Sequence, residues 1–241
     1  MTPVFREQPG APGLLVICDH AANAVPADID LGIDPALLAR HIAWDIGAEP
    51  VARGLCLRFG CPGLFAGVSR LVIDLHREED SPALIPAESD GHAIPGNATL
   101  GAAGRAARIA RFHRPYHARL AALVAATRPE LIVSVHSFTP QLETAPGPAR
   151  PWHVGILYNE DDRAARIAVA ALREAGFTTG DNEPYSGRQL NATLNRHAEA
   201  HGIPYLAIEI RNDLIADAAG AAAWVDHLAP VIERCRNETT R

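Results

Sequence analysis

Apolar residues in this chain gather in short runs separated by polar stretches of helical period. Leu14 to Cys18 is a continuous apolar run, Leu131 to Val135 is interrupted only by Ser134, and Tyr205 to Ile210 only by Glu209. Runs of this length, bounded by turn residues, read as buried strands. Phe65 to Leu75 and Trp152 to Tyr158 add two more strand regions. At period two, Arg70, Val72 and Asp74 share one face of the first, and Leu71, Ile73 and Leu75 the other. Asp34-Pro35 reads as an N-cap and first helical position, opening a helix to about Leu57 with the stripe Leu38, Ile42, Ile46, Val51. Further helices are expected over Thr99 to Thr127 with a kink at Pro115, Asp161 to Ala175, Gln189 to His201, and Ala218 to Arg236. Pro3 to Gly13 and Thr178 to Gly187 read as loops. So do Glu78 to Asn97 and Phe138 to Pro151, whose length suits loops that cover a site.

Strands alternating with helices imply an α/β three-layer sandwich with a mostly parallel central sheet. No repeat or linker divides the chain, so residues 1–241 are expected to form a single domain. In such sheets, ligands bind at the carboxyl ends of the strands. Three of the apolar runs carry titratable groups at or near those ends: Asp19 and His20, His136, and Glu209 with Arg211.

Composition narrows the function classes. With 241 residues, 48% of them hydrophobic, the chain is long enough for a sizeable core. It holds no apolar run of about 18 residues, the length a membrane helix needs. Met1 to Gly13 is polar and proline-rich, unlike a signal peptide, so a cytoplasmic protein without membrane attachment is expected. The net charge of −6 with no basic stripe argues against a nucleic-acid partner. All 22 basic residues are arginine, which reflects composition rather than a binding surface. Cys18, Cys56, Cys61 and Cys235 form no C-x-x-C pair and read as buried thiols.

The chemistry rests on the strand ends. Two histidines and a carboxylate from distant parts of the chain suit a divalent metal, and imidazole with carboxylate favours zinc. Asp19 either orients His20 or caps a turn. Glu209, in an otherwise apolar strand, either pairs with Arg211 on the same face or serves as the general base of a hydrolase. For the third ligand the sequence offers Asp45, Asp74 and Asn23; Asp74 also sits where it can pair with Arg70. Arg70, Arg77 and Arg211 near strand ends suit an anionic substrate, and two such forks would suit a dicarboxylate. Nucleophile-elbow, phosphate-loop and H-E-x-x-H motifs are absent.

These stretches together resemble the N-formylglutamate amidohydrolase family. The matching pieces are Cys18-Asp-His-Ala-Ala-Asn-Ala-Val-Pro26, Ala43-Trp-Asp45, Ser69-Arg-Leu-Val-Ile-Asp-Leu-His-Arg-Glu78, Ile94-Pro-Gly-Asn97 and Pro115-Tyr-His117. Val135-His-Ser-Phe-Thr-Pro140, Asp181-Asn-Glu-Pro-Tyr-Ser186 and Glu209-Ile-Arg-Asn-Asp-Leu-Ile215 follow in order. The resemblance implies a zinc-dependent amidohydrolase with an aminopeptidase-like α/β fold, related to the carboxypeptidase and aspartoacylase type of site. His20, His136 and Asp45 would then hold zinc. Glu209 would be catalytic, and Arg70, Arg77, Arg211 and Asn97 would face the substrate. Asn23 stands where those relatives carry a glutamate ligand. The implied reaction is hydrolysis of N-formyl-L-glutamate to formate and glutamate, late in histidine degradation. Another small N-acyl amino acid or peptide, or a non-catalytic binding module on the same fold, are the alternatives.

Overall fold

The computed structural model describes residues 2–144 and 147–239. In chain order its strands are β1 (Phe5–Gln8), β2 (Leu14–Cys18), β3 (Gly63–Ala66), β4 (Glu88–Ser89), β5 (His92–Ala93), β6 (Leu131–Phe138), β7 (Val154–Leu157), β8 (Thr179–Asp181) and β9 (Tyr205–Arg211). The helices are α1 (Ala48–Phe59), α2 (Pro95–Ala98), α3 (Ala102–Arg108), α4 (Arg114–Thr127), α5 (Arg163–Glu174), α6 (Ala192–His197) and α7 (Ala218–Thr239). Seven strands form one sheet in the order β1-β3-β2-β6-β9-β7-β8, and β4 with β5 makes a separate hairpin. Strands β3, β2, β6 and β9 are mutually parallel, while β1 and β7 run antiparallel to their neighbours β3 and β9. Among the described residues no helix is long and apolar enough to cross a membrane.

The central strands β2 and β6 are wholly buried but for Ser137, which explains their unbroken apolar runs. Strand order fixes where helices lie. The chain leaves β2 for β3 on one side and then crosses back past β2 to β6. Right-handed crossovers in opposite directions put α1 and α4 on opposite faces of the sheet. Helices α1, α5 and α7 pack together in one layer. The reversal between β2 and β6 opens a crevice at their carboxyl ends, where α/β sheets bind ligands.

The mostly parallel α/β sheet agrees with the sequence pattern, and tertiary contacts redraw several elements. The stretch expected as a leader loop contains β1, an edge strand paired antiparallel with β3. The helix expected from Pro35 to Leu57 is broken: Asp34 caps a 3-10 turn over Pro35–Ala39, and α1 begins only at Ala48. Asp45 therefore lies in the connection, its N–H donating to the His20 carbonyl at 3.0 Å. The strand expected to Leu75 ends at Ala66, so residues 69–77 form turns. Arg70 and Asp74 meet as an i,i+4 pair rather than across a pleat. The long helix to Thr127 is split by a π-helical turn at Ile109–His113, just before Pro115, whose ring and missing N–H cannot continue the ladder. Strand β6 extends past Val135 to Phe138, and β8 lies within the expected Thr178 loop.

Gly47 is the hinge of this rearrangement. Its φ of 80° is left-handed, and a Cβ there would lie 2.1 Å from the carbonyl oxygen of Ile215. Gly47→Ala should cost at least about 2 kcal/mol, from backbone strain and the clash. Urea unfolding checks this, and an unchanged midpoint would contradict it.

Candidate active site

Parallel pairing of β6 with β9 sets His136 directly beside Glu209. His20 follows the end of β2, the strand on the other side of β6. Asp45 arrives from the connection before α1 and is fixed there by backbone bonds: its Oδ2 accepts from Ser137 N at 3.2 Å, while Ser137 Oγ donates to Ile46 O at 2.8 Å. Three polar groups from sequence-distant segments thereby converge. His136 Nδ1 lies 2.8 Å from Asp45 Oδ2, and His20 Nδ1 lies 3.3 Å from the same oxygen. The two rings are 4.9 Å apart between centroids. All three residues are at most 4% exposed.

A buried charge balance surrounds them. Asp74 Oδ1 accepts from His20 Nε2 at 2.7 Å, and Asp74 Oδ2 accepts from Arg70 Nη2 at 2.8 Å. Arg70 also reaches Asp45 Oδ1 at 3.3 Å. Burial opposes the charge on Asp74, but His20 and Arg70 outweigh it and hold the carboxyl well below the usual range. Burial likewise opposes charge on Asp45, and His20 and His136 lower its pKa in turn. Burial and Arg70 disfavour a charged His20, yet Asp74 and Asp45 raise its pKa; burial is also outweighed at His136, raised by Asp19, Asp45 and Glu209. In the metal-free protein, protons on both Nδ1 atoms thus point at one carboxylate oxygen. Four acidic groups, Asp19, Asp45, Asp74 and Glu209, face only Arg70 and Arg77 as permanent cations. Such a site favours a further cation.

The donor atoms suit one. His20, Asp45 and His136 each offer a ligand atom, all within 4.8 Å of one another. Tetrahedral zinc holds its ligands at about 2.0–2.1 Å, hence roughly 3.3 Å from each other. Asp74 on His20 Nε2 is the carboxylate that orients a ligating imidazole and leaves Nδ1 for the cation. Two other trios are poorer. Asp19, His76 and His136 share His136, but Asp19 is already engaged by Tyr116 Oη at 2.6 Å and His76 Nδ1 at 3.0 Å. His41, Asp90 and Glu143 lie at the rim, where Asp90 accepts from the N–H groups of Glu143 and Thr144 and from Thr144 Oγ1.

Glu209 is half-buried, yet its Oε2 is enclosed and has no hydrogen-bond partner among the described residues. Burial drives its pKa up to about 7; His136 works against that rise and Asp45 with it. The alternative pairing with Arg211 does not form, since Arg211 binds Asp213 at 2.8 Å and lies outside the cavity. That cavity, of about 410 Å³, has His20, Asp45, His136 and Glu209 in its lining, together with Arg70 and Arg77. Its outer wall is the hairpin β4–β5, turned at Asp90-Gly91 with φ of 43° and 73°, against the loop that follows β6.

The structure separates the remaining sequence candidates. Asn97 is buried away from the cavity, donating to Leu71 O at 2.7 Å and Pro86 O at 2.8 Å and accepting from Arg108 Nη1 at 2.6 Å. Asn23 donates to Leu38 O at 2.9 Å and ties down the connection. Asp74 supports His20 from behind. Sequence reasoning missed His76, Tyr116 and the tier of buried histidines on the helical side. His117 Nε2 donates to Leu75 O and His113 Nε2 to Arg77 O, fixing the segment that presents His76 and Arg77. His197 and His117 bond to each other at 2.9 Å, and burial lowers their pKa values to about 4 and about 3. The triplet Leu75-His76-Arg77 at the end of an apolar run was the available signal.

The family model of the N-formylglutamate amidohydrolases matches residues 13–216, which hold every residue of this site. The chain belongs to that family. A crystal structure in agreement is the gene product Atu2144 from Agrobacterium tumefaciens, 32% identical with a TM-score of 0.93, covering 98% of this chain and 96% of its own. The N-formylglutamate amidohydrolase from Ralstonia eutropha JMP134 is 22% identical with a TM-score of 0.74, covering 100% of this chain and 99% of its own, and shares the fold. No curated protein matches the sequence. The family match spans both long loops, so the cavity walls as well as the convergent trio belong to the family domain.

Asn97→Ala should cost about 2–4 kcal/mol, because two buried carbonyls and a guanidinium lose their partner. Chemical denaturation reads the loss. Full stability with a raised KM would instead return Asn97 to substrate binding.

Proposed function

We propose that this chain is a metal-dependent amide hydrolase acting on small N-acyl amino acids, the class that includes N-formyl-L-glutamate. One observation carries the reading: Glu209, with an enclosed and unpartnered oxygen, stands beside the His20–Asp45–His136 trio in the cavity. Zinc is the ion this donor set suits, and His20, Asp45 and His136 would hold it. When bound, it would supply a Lewis acid for the acyl carbonyl and acidify water at the same point.

The chain's own residues do the rest. Glu209 takes the proton of the attacking water on its free oxygen and returns it to the amide nitrogen as the C–N bond breaks. Its pKa of about 7 lets it do both near neutral pH. Asp74 holds His20 in the tautomer that frees Nδ1. Arg70 bridges Asp45 and Asp74, so the two carboxylates stay apart in a fixed geometry. Arg77 faces the cavity with a guanidinium that makes no hydrogen bond among the described residues, free to hold a substrate carboxylate.

Glu209→Gln should keep stoichiometric zinc and lose about 10²–10⁴-fold in kcat, the usual worth of a general acid–base. His20→Ala and His136→Ala should each lose the zinc, read by elemental analysis of the purified protein. Full activity of Glu209→Gln, or zinc retained by both histidine variants, would remove these roles. Glu209 acts as a base only when ionised, so kcat/KM should fall as pH drops through its pKa. A bound cation beside Glu209 moves that limb downward, placing it at or below about pH 7. A pH–rate profile flat from pH 5 to 8 would exclude Glu209 as the titrating base.

A further inference from the structure

Within the hydrolase reading just given, on which this step rests, the cavity speaks to the substrate's charge. Of the three arginines that suited a dicarboxylate, Arg211 is outside and tied to Asp213. Arg70 is inside, but its two Nη atoms are taken by Asp45 and Asp74. Among the described residues Arg77 alone of the three makes no side-chain hydrogen bond; its ion-pair partner Asp74 is 3.8 Å from Nε, beyond hydrogen-bond reach. One unspent fork matches one carboxylate.

Among the described residues the rest of the lining presents a second anion with no cation that lacks an acidic partner. Toward the mouth the lining carries Glu88 and Asp90. His41, the remaining basic group there, already binds Asp90 at 3.0 Å and faces Glu143 at 3.8 Å. Arg40 and His92, just behind, are both bound to Glu143. Asp90 stays ionised, with a pKa of about 2: burial opposes its charge, but Thr144, the Glu143 N–H and His41 outweigh it. The same lining carries an apolar belt of Ile42, Phe138, Leu142, Leu157, Leu190 and the Tyr185 ring. Tyr185 is braced by Arg150 Nη1 at 3.0 Å on its hydroxyl, with the guanidinium stacked 5.0 Å from the ring.

We infer that the preferred substrate is an N-acyl amino acid with a single carboxylate, held by Arg77, and an uncharged, largely apolar side chain packed against this belt. N-formyl-L-glutamate would place its second carboxylate either in the apolar belt or beside Glu88 and Asp90, and like charge there disfavours it.

Binding and turnover separate this inference from the reading beneath it. Calorimetric titration of the zinc-supplied Glu209→Gln protein with N-formyl-L-leucine and N-formyl-L-glutamate should show the leucine compound bound at least about tenfold more tightly. Glu88→Gln should narrow that ratio by relieving the like charge. Arg77→Met should weaken N-formyl-L-leucine by about tenfold or more, with Arg77→Lys recovering part of the loss. Equal or tighter binding of N-formyl-L-glutamate overturns the inference, as does unchanged leucine binding in a folded Arg77→Met. The first comparison needs no variant at Arg77, so it stands if that one fails to fold. Formate release by the native protein is read separately. No release from either compound overturns the hydrolase reading, while the binding ratio still decides the substrate's charge.

Discussion

The structure turns on one carboxylate oxygen. Asp45 Oδ2 receives His20, His136 and the Ser137 N–H, and every other charged group nearby answers to that convergence. Burying three aspartates in one place is unfavourable unless each is paired and hydrogen-bonded. Asp74 is paired by His20 and Arg70, and Asp19 by His76 and Tyr116. Asp45 is left with two imidazoles whose protons a cation can displace. The carboxylates are balanced by Arg70, Arg77 and two imidazoles with raised pKa values, and a cation that displaced those imidazole protons would keep the balance.

Around that centre the fold supplies rigidity from elements that do not move independently. His136 and Glu209 sit opposite one another on adjacent parallel strands, so their separation is set by the ladder rather than by side-chain choice. His20 and Asp45 are linked through a backbone bond. The segment carrying Asp74, His76 and Arg77 has no regular structure, yet its carbonyls at Leu75 and Arg77 are held by the buried His117 and His113 from the helical layer. At His117 burial lowers the pKa, because a charged ring is costly at that depth. The site is thus built on fixed strand ends, and its irregular part is braced from behind.

The cavity divides the same way. Its charged groups are committed to internal hydrogen bonds except for Glu209 Oε2 and Arg77, which among the described residues makes only a 3.8 Å ion pair with Asp74. Its apolar lining stands apart from these, and the Asp90-Gly91 hairpin is tied to Thr144. Substrate recognition is left to the few groups whose bonding capacity the protein does not already use. That principle separates Arg77 from Arg70 and Arg211, three residues of one type with different spare valence.

By itself the sequence determined the mostly parallel α/β sheet, because buried parallel strands read as near-continuous apolar runs, as Leu14 to Cys18 is and as Leu131 to Val135 is but for Ser134. It also marked His20, His136 and Glu209, since polar groups interrupting or ending such runs stand out. Asp45 was one of three candidates beside Asp74 and Asn23 until the family resemblance put it first, and its surroundings were not legible at all. The helix pattern around it runs on from Pro35, whereas a backbone bond to His20 and the left-handed Gly47 break it. Edge strands β1 and β8 were hidden because short polar segments carry no burial signal. Only the tertiary structure decided what each arginine was free to do. Asp74 and Asp213 lie four and two residues from their arginines, but Asp45 reaches Arg70 across 25 residues, a contact that only the folded chain creates.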